Sequence, residues 1–228
     1  MSETTPLQRL PEPELMDGEA QARAYAEADF SEPHDHFVTL FQEFFSGIKI
    51  DGRVVDLGCG TADITLRFAR AYPDCRVDGL DGSAAMLGHG QAAVDSAGLG
   101  DRVNLQQGLL PEAVLPTATY PVVICNSLLH HLHRSGVLWA TVDRLAEPGA
   151  AVFIMDLMRP ATAAQVDQLV AAYVADEPAI LQHDFRASLH AAFTVTEVVE
   201  QLHDAALDWL DVCAVSDRHL VISGQRPA

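Results

Sequence analysis

The chain has 228 residues, of which 49% are hydrophobic and 20% charged, a length and composition that suit one α/β domain with a sizeable core. Fourteen Lys+Arg stand against 32 Asp+Glu, a formal net charge of −18 that argues against nucleic acid and anionic membrane as partners. The first eighteen residues are polar and proline-containing, no apolar run reaches membrane-span length, and the four scattered cysteines form no CxxC pair, so reduced thiols and a cytoplasmic location are expected.

Residues 1–16 carry Pro6, Pro11 and Pro13 and read as an extended arm. Asp17 opens a helix over Gly18–Asp29, and Ser31 with Pro33 reads as the cap and first turn of a second helix to about Ser46. Its Phe37, Leu40, Phe41, Phe44 and Phe45 recur at helical spacing, a packing stripe that supports a homodimer if part of it is exposed. From Arg53 strands and helices alternate: strand Val54–Leu57, helix Ala62–Tyr72, strand Arg76–Leu80, helix Ser83–Ala97, strands Val103–Gln107 and Val122–Cys125, helix Gly136–Ala146, a Pro148-Gly149 turn, and strand Ala150–Asp156. Such alternation predicts βαβ crossovers and a parallel sheet with helices on both faces. Helices over Ala161–Ala175, Pro178–Ala192 and Thr194–Ala206 follow, the last with Thr196 as its cap. Strands Asp208–Val215 and Arg218–Gly224 close the chain. The expected organisation is an N-terminal arm and helical lid over 1–50, then an α/β domain over 51–228 with a helical insertion at about 160–193.

Ligands of such open sheets bind where strands end. After the first strand comes Asp56-Leu57-Gly58-Cys59-Gly60-Thr61-Ala62-Asp63. The glycines permit a tight turn and close approach of a ligand, Thr61 reads as a helix cap, and the helix start attracts polar atoms. A dinucleotide site needs a third glycine where Asp63 stands, and two acids suit a cationic ligand better. About twenty residues on, Asp81 is placed to accept two ribose hydroxyls, followed by Gly82, Ser83 and Met86.

Asp-Leu-Gly-Cys-Gly-Thr resembles motif I of the class I S-adenosylmethionine (SAM)-dependent methyltransferases, and Asp81-x-Ser83-x-x-Met86 resembles that family's usual continuation. The resemblance implies a Rossmann-like, doubly wound, seven-stranded, mostly parallel sheet ending in an antiparallel hairpin. It implies SAM as cofactor, with glycines beneath it, acids near its ammonium end, Asp81 on the ribose and Met86 on the adenine face. Many relatives place an acid on the adenine amine where this chain has Leu109, so Gly108, Leu109 and Leu110 are expected to meet the adenine through backbone or apolar contact. Asn126-Ser127-Leu128-Leu129-His130-His131-Leu132-His133 resembles the His-His-Leu loop of small-molecule methyltransferases of the ubiquinone/menaquinone-biosynthesis group, a loop that lines the methyl-transfer site.

His130, His131 and His133 are candidates for a base or a substrate contact, since histidine titrates in the useful range. A metal site is not expected, because adjacent histidines on one turn point apart and no further ligand lies at a recognised spacing. The absence of an Asn-Pro-Pro-aromatic motif disfavours base methylation, and Asn126 does not supply the acid of the divalent-metal-dependent catechol methylators. Arg159 is expected to pair with Asp156 or face the substrate. Tyr25 of the N-terminal lid is a cofactor candidate, and Phe30, Tyr173, Phe185 and Arg186 of the two lid segments are substrate candidates. The sequence therefore predicts metal-independent methyl transfer to a small molecule by in-line displacement. Its rivals are intramolecular cyclisation of SAM to a cyclic amino acid and methylthioadenosine, and a non-catalytic SAM-binding module. A nicotinamide-dependent dehydrogenase is the weakest alternative.

Overall fold

The β-branched pair Val54-Val55 lacks the polar alternation of a half-exposed strand and takes the centre of a sheet covered on both faces. The computed structural model describes residues 7–228, so Pro6 of the arm lies outside the described residues. Strands β1 (Arg53–Leu57), β2 (Arg76–Asp81), β3 (Val103–Gln107), β4 (Tyr120–Asn126), β5 (Ala146–Leu157), β6 (Asp211–Ala214) and β7 (His219–Gln225) form one sheet of order β3-β2-β1-β4-β5-β7-β6. β1 to β5 pair in parallel, and β7 runs antiparallel to both β5 and β6. The expected mostly parallel sheet with a terminal antiparallel hairpin is the one found. The strand order reverses between β1 and β4, which is where an open α/β sheet leaves a ligand crevice.

Alternating side chains split the core in two. Val54, Val122, Ile124 and Phe153 pack with α2 (Ser31–Phe44) and α3 (Asp63–Ala71), while Val55, Leu57, Val123 and Ile154 pack with α5 (Gly136–Leu145) and α8 (Val195–Asp204). The phenylalanine stripe is spent inside the chain. Phe37 and Phe41 meet the Phe153 ring edge-on, with centroids 5.0 and 5.7 Å away, and Phe44 is the stripe's one exposed member. The surface expected to support a dimer thus shrinks to a single ring.

Helices α1 (Glu19–Glu27) and α4 (Ala84–Ala97) pack together, and α6 (Ala163–Tyr173) and α7 (Ala179–Ala191) follow β5 around a small core of Leu157, Val166, Leu169, Val170, Leu189 and Ala192. Several helix ends differ from their sequence expectation. Ser31 lies inside α2, its amide donating to Asp29 at 2.9 Å. Thr61 does not cap α3; Ala62 holds that position with a left-handed φ of 64°. Thr194, not Thr196, caps α8 through a reciprocal box with Glu197. Pro148-Gly149 is an irregularity within β5, beside the register shift of β4, rather than a turn before it. Among the described residues, no helix is long and apolar enough to cross a membrane.

Candidate functional site

The carboxyl ends of β1, β2, β4 and β5 open into one cleft of about 480 Å³, within the range of about 300–1,000 Å³ typical of small-molecule sites. Its roof has three parts: Glu14–Met16 of a strap formed by residues 7–16, residues 25–34 where α1 passes into α2, and residues from Tyr173 to Ser188 of α6 and α7.

The floor is the glycine turn. Gly58 and Gly60 have φ of 74° and 53°, in the left-handed region that other residues enter at a cost. A Cβ on Gly58 would stand 2.9 Å from Leu128, whereas one on Gly60 would project into open space. The amides of Gly58 and Cys59 both donate to the Leu80 carbonyl, at 2.8 and 3.0 Å, tying the turn to the end of β2. Cys59 is buried beneath, its thiol pushed up by burial, and Thr61 lines the cleft beside it.

Asp81 ends β2 and accepts one amide on each carboxylate oxygen, Gly60 N–H on Oδ2 and Ser83 N–H on Oδ1, both at 2.8 Å. Each oxygen keeps a lone-pair direction for a ligand, so two neighbouring hydroxyls can be met at once. Burial raises the carboxyl above its usual range, against those two amide bonds. Ser83 caps α4 by accepting from Met86 N–H at 3.2 Å and donates to the strap's Met16 carbonyl at 3.0 Å. Over Gly82 close Leu15 and Leu109, whose side chains leave no room for a Cβ. Leu15, Leu109 and Met86 thereby form apolar walls of the cleft beside Asp81, with Gly108 and Leu110 adjoining.

The two acids of the turn are already engaged. Asp56 is buried and accepts from Thr65 Oγ1 at 2.5 Å; burial pushes its carboxyl up to about 7, against that hydrogen bond. Because the folded carboxyl holds its proton at a pH where the unfolded one does not, its contribution to stability is complete below about pH 4 and is lost as pH rises through about 7. Asp56→Asn is expected to flatten that loss, which reaches about 4 kcal/mol at most. Urea unfolding at pH 4.5 and 7.5 measures it, and an equal pH slope in both proteins refutes it. Asp63 accepts from Arg67 Nε at 3.1 Å and pairs with His34 Nδ1 at 2.6 Å. Burial works against its anion, but His34 and Arg67 outweigh it and hold the pKa low. Both acids adjoin the cleft, but their oxygens serve the fold as much as any ligand.

After β4, Asn126 donates to Ser127 Oγ at 3.1 Å, and Ser127 takes a φ of 55° as the chain turns into a 3₁₀ turn over Leu129–His131. His130 is buried, with Nδ1 2.6 Å from Asp156 Oδ1, while Asp156 Oδ2 accepts Leu129 N–H at 2.7 Å. Burial opposes the His130 cation, but Asp156 prevails and raises its pKa; burial, then His130, push His131 down to about 3. The two rings do not point apart as expected. They stack with centroids 4.3 Å apart and converge on Glu12 of the strap. His133 is half-exposed and outside the cleft lining: its ring contacts the Glu12 carbonyl at 2.8 Å and its amide donates to Glu14, so it fastens the strap.

Tyr25, Phe30, Tyr173 and Phe185 line the cleft, with Phe30 5.4 Å from the Tyr25 ring and 5.3 Å from His34. Arg159 and Arg186 do not. Arg159 is spent on the Leu7 and Ala192 carbonyls and on Glu197, so the expected pair with Asp156 is absent; Arg186 pairs with Asp167 on the surface. Sequence reasoning missed Glu12, Leu15 and Met16, hidden in a proline-rich stretch without periodicity, and Arg218 and His219, which reach the cleft because β7 starts beside the end of β5. Arg218 stacks on the Tyr173 ring at 3.3 Å, and burial pushes His219 down to about 4.

Residues 54–150 match the model of a family described as a methyltransferase domain. The chain is 32% identical over 179 residues to the ribosomal protein uL3 glutamine methyltransferase of Bordetella pertussis, an alignment covering 76% of this chain and 55% of that protein. It is 30% identical over 114 residues to the demethylmenaquinone methyltransferase of Bacillus cytotoxicus, covering 50% of this chain and 48% of that one. The chain thus spans about half the length of the curated relatives it matches. A SAM-dependent methyltransferase of Aquifex aeolicus has the same fold, with a TM-score of 0.67 at 17% identity over 91% of this chain and 98% of that one. Residues 54–150 carry a methyltransferase domain, and motif, sheet and relatives all point to the class I SAM-dependent methyltransferases.

Proposed function

We propose that this chain transfers a methyl group from SAM to a small-molecule acceptor by in-line displacement. One observation carries the small-molecule reading: strap, α1–α2 and α6–α7 all line the same cleft of about 480 Å³, within the size range of small-molecule sites. The −18 net charge opposes nucleic acid as that acceptor.

The site fits SAM. Asp81 keeps a free lone-pair direction on each oxygen for the ribose hydroxyls, Leu15, Met86 and Leu109 flank the base, and the open space above Gly60 admits the amino-acid arm. When bound there, SAM supplies a methyl group on a positively charged sulfur. The chain's part is positioning: the glycine turn and the Asn126-Ser127 bend fix the reacting end, and Phe30, Tyr173 and Phe185 hold the acceptor against it and exclude water. The buried free thiols of Cys59, Cys75 and Cys125 support a reducing, cytoplasmic setting.

The test is a metabolite-extract screen with the purified chain and SAM. S-adenosylhomocysteine forming only when extract is present is the expected result. Methylthioadenosine forming from SAM alone would instead establish the cyclisation reading. SAM bound without turnover in any extract would establish a binding module.

A further inference from the structure

The meeting of Glu12, His130 and His131 has a geometry that methyl transfer by positioning does not use. Glu12 Oε1 lies 3.5 Å from His130 Nε2 and 3.4 Å from His131 Nδ1, and the three atoms all fall within 4.8 Å of one another. The His131 Nδ1 atom is buried and has no hydrogen-bond partner. A tetrahedral ion with bonds of about 2.0–2.1 Å to nitrogen and oxygen sets its ligands about 3.4 Å apart, the edge of the tetrahedron. The two closest contacts match that edge and are too long for good hydrogen bonds.

We propose that Glu12, His130 and His131 form a site for one divalent transition-metal ion of the zinc type, with its fourth position open to the cleft for an oxygen, nitrogen or sulfur atom of the acceptor. The supporting shell is in place. Asp156 holds His130 Nδ1 at 2.6 Å, which fixes the ring with Nε2 toward the site, the carboxylate–histidine–metal arrangement in which an outer carboxylate strengthens the ligand. Ser188 Oγ donates to Glu12 Oε1 at 3.0 Å and orients it.

Charge agrees. Glu12 and Asp156 bring two carboxylates to the cluster, and the nearby Arg9 turns its guanidinium to the His130 and Leu132 carbonyls at 3.0 and 3.1 Å. Without an ion the cluster leaves the buried His131 Nδ1 with no partner. A proton on His130 Nε2 answers Glu12 but leaves His131 Nδ1 unmet. An ion answers all three. The sequence hid this site because its third ligand stands 118 positions before the histidine pair and belongs to no ligand-spacing motif.

The inference adds a metal to the methyl-transfer reading of the same cleft, and its test needs no turnover. The full chain, stripped with chelator, is loaded with Zn²⁺ and separately with Co²⁺. The expected results are one Zn²⁺ per chain by elemental analysis and the intense visible absorption of four-coordinate Co²⁺. Glu12→Gln and His131→Ala are each expected to weaken Zn²⁺ binding at least about 100-fold, and Asp156→Asn about 10- to 100-fold. Should a variant fail to fold, imidazole ¹⁵N shifts in the wild-type chain decide: both His130 Nε2 and His131 Nδ1 move on Zn²⁺ addition. Loading well below one ion per chain, unchanged affinity in folded variants, or ¹⁵N shifts confined to other histidines overturn the proposal. A null result here leaves methyl transfer standing, and failure to form S-adenosylhomocysteine leaves the metal result standing.

Discussion

Asp81→Ala is expected to weaken SAM binding by about 100-fold or more, read by titration calorimetry. The carboxylate is positioned for two charge-assisted hydrogen bonds to neighbouring hydroxyls, each worth about 1.5–3 kcal/mol. It also holds the Gly60 and Ser83 amides at 2.8 Å, so its removal frees the glycine turn from the start of α4 and loosens the floor under the reacting end. Asp81→Asn separates the two roles. The amide oxygen retains one anchor but the side chain loses an acceptor and its charge, so its affinity is expected to fall between wild type and alanine. Unchanged affinity in Asp81→Ala, with the protein folded, would remove the ribose assignment.

The second large effect is on stability. Arg159→Ala is expected to lower unfolding free energy by about 2–3 kcal/mol, or about 4–12 °C in melting temperature for a chain of this size, with little change in acceptor KM at low temperature. The guanidinium is 7% exposed and donates to Leu7 O at 3.1 Å, Ala192 O at 2.9 Å and Glu197 Oε1 at 2.6 Å. One side chain thereby joins the strap, the end of α7 and the capping box of α8. Its loss leaves two carbonyls without their donor and Glu197, held below its usual pKa by Arg159 and Thr194 against the effect of burial, without its strongest partner. Glu197 is about a third exposed, which keeps the cost below that of a fully buried pair. A raised KM with an unaltered melting temperature would return Arg159 to the substrate.

These two residues mark how far the sequence could be read. Asp81 was legible because its position follows from local rules: a strand, a glycine turn before it, and a fixed interval between them. The same local logic recovers all seven strands and all eight α-helices, with errors at helix ends such as Ser31, Thr61 and Thr196 and at Pro148-Gly149, which lies within β5. Arg159 was misread because its partner is 38 positions away, and nearness to Asp156 in sequence is no guide to direction at a strand end. Residues of both segments expected to cover the site do line the cleft. The strap was not legible, since Glu12 and Leu15 acquire meaning only when a proline-bearing stretch is laid across loops more than a hundred residues distant. His130 and His131 lie between these extremes: the loop was identified, but the stacking that converges them is a tertiary fact.

The way the roof is fastened bears on how the cleft empties. The strap is held by polar links, from Arg9 to the carbonyls of Ala191, His130 and Leu132, from Glu12 to Ser188, from Glu14 to the His133 amide, and from Ser83 to Met16. Behind it α1 buries only Ala22. Water can replace each of these links as the segment lifts, whereas separating β4 from its neighbours would expose a continuous apolar core. Amide hydrogen exchange is therefore expected to show the cover opening locally at lower free energy than the sheet, whose β4 amides exchange only with global unfolding. An enzyme closed in this way would release spent cofactor by lifting the cover while the sheet stays intact.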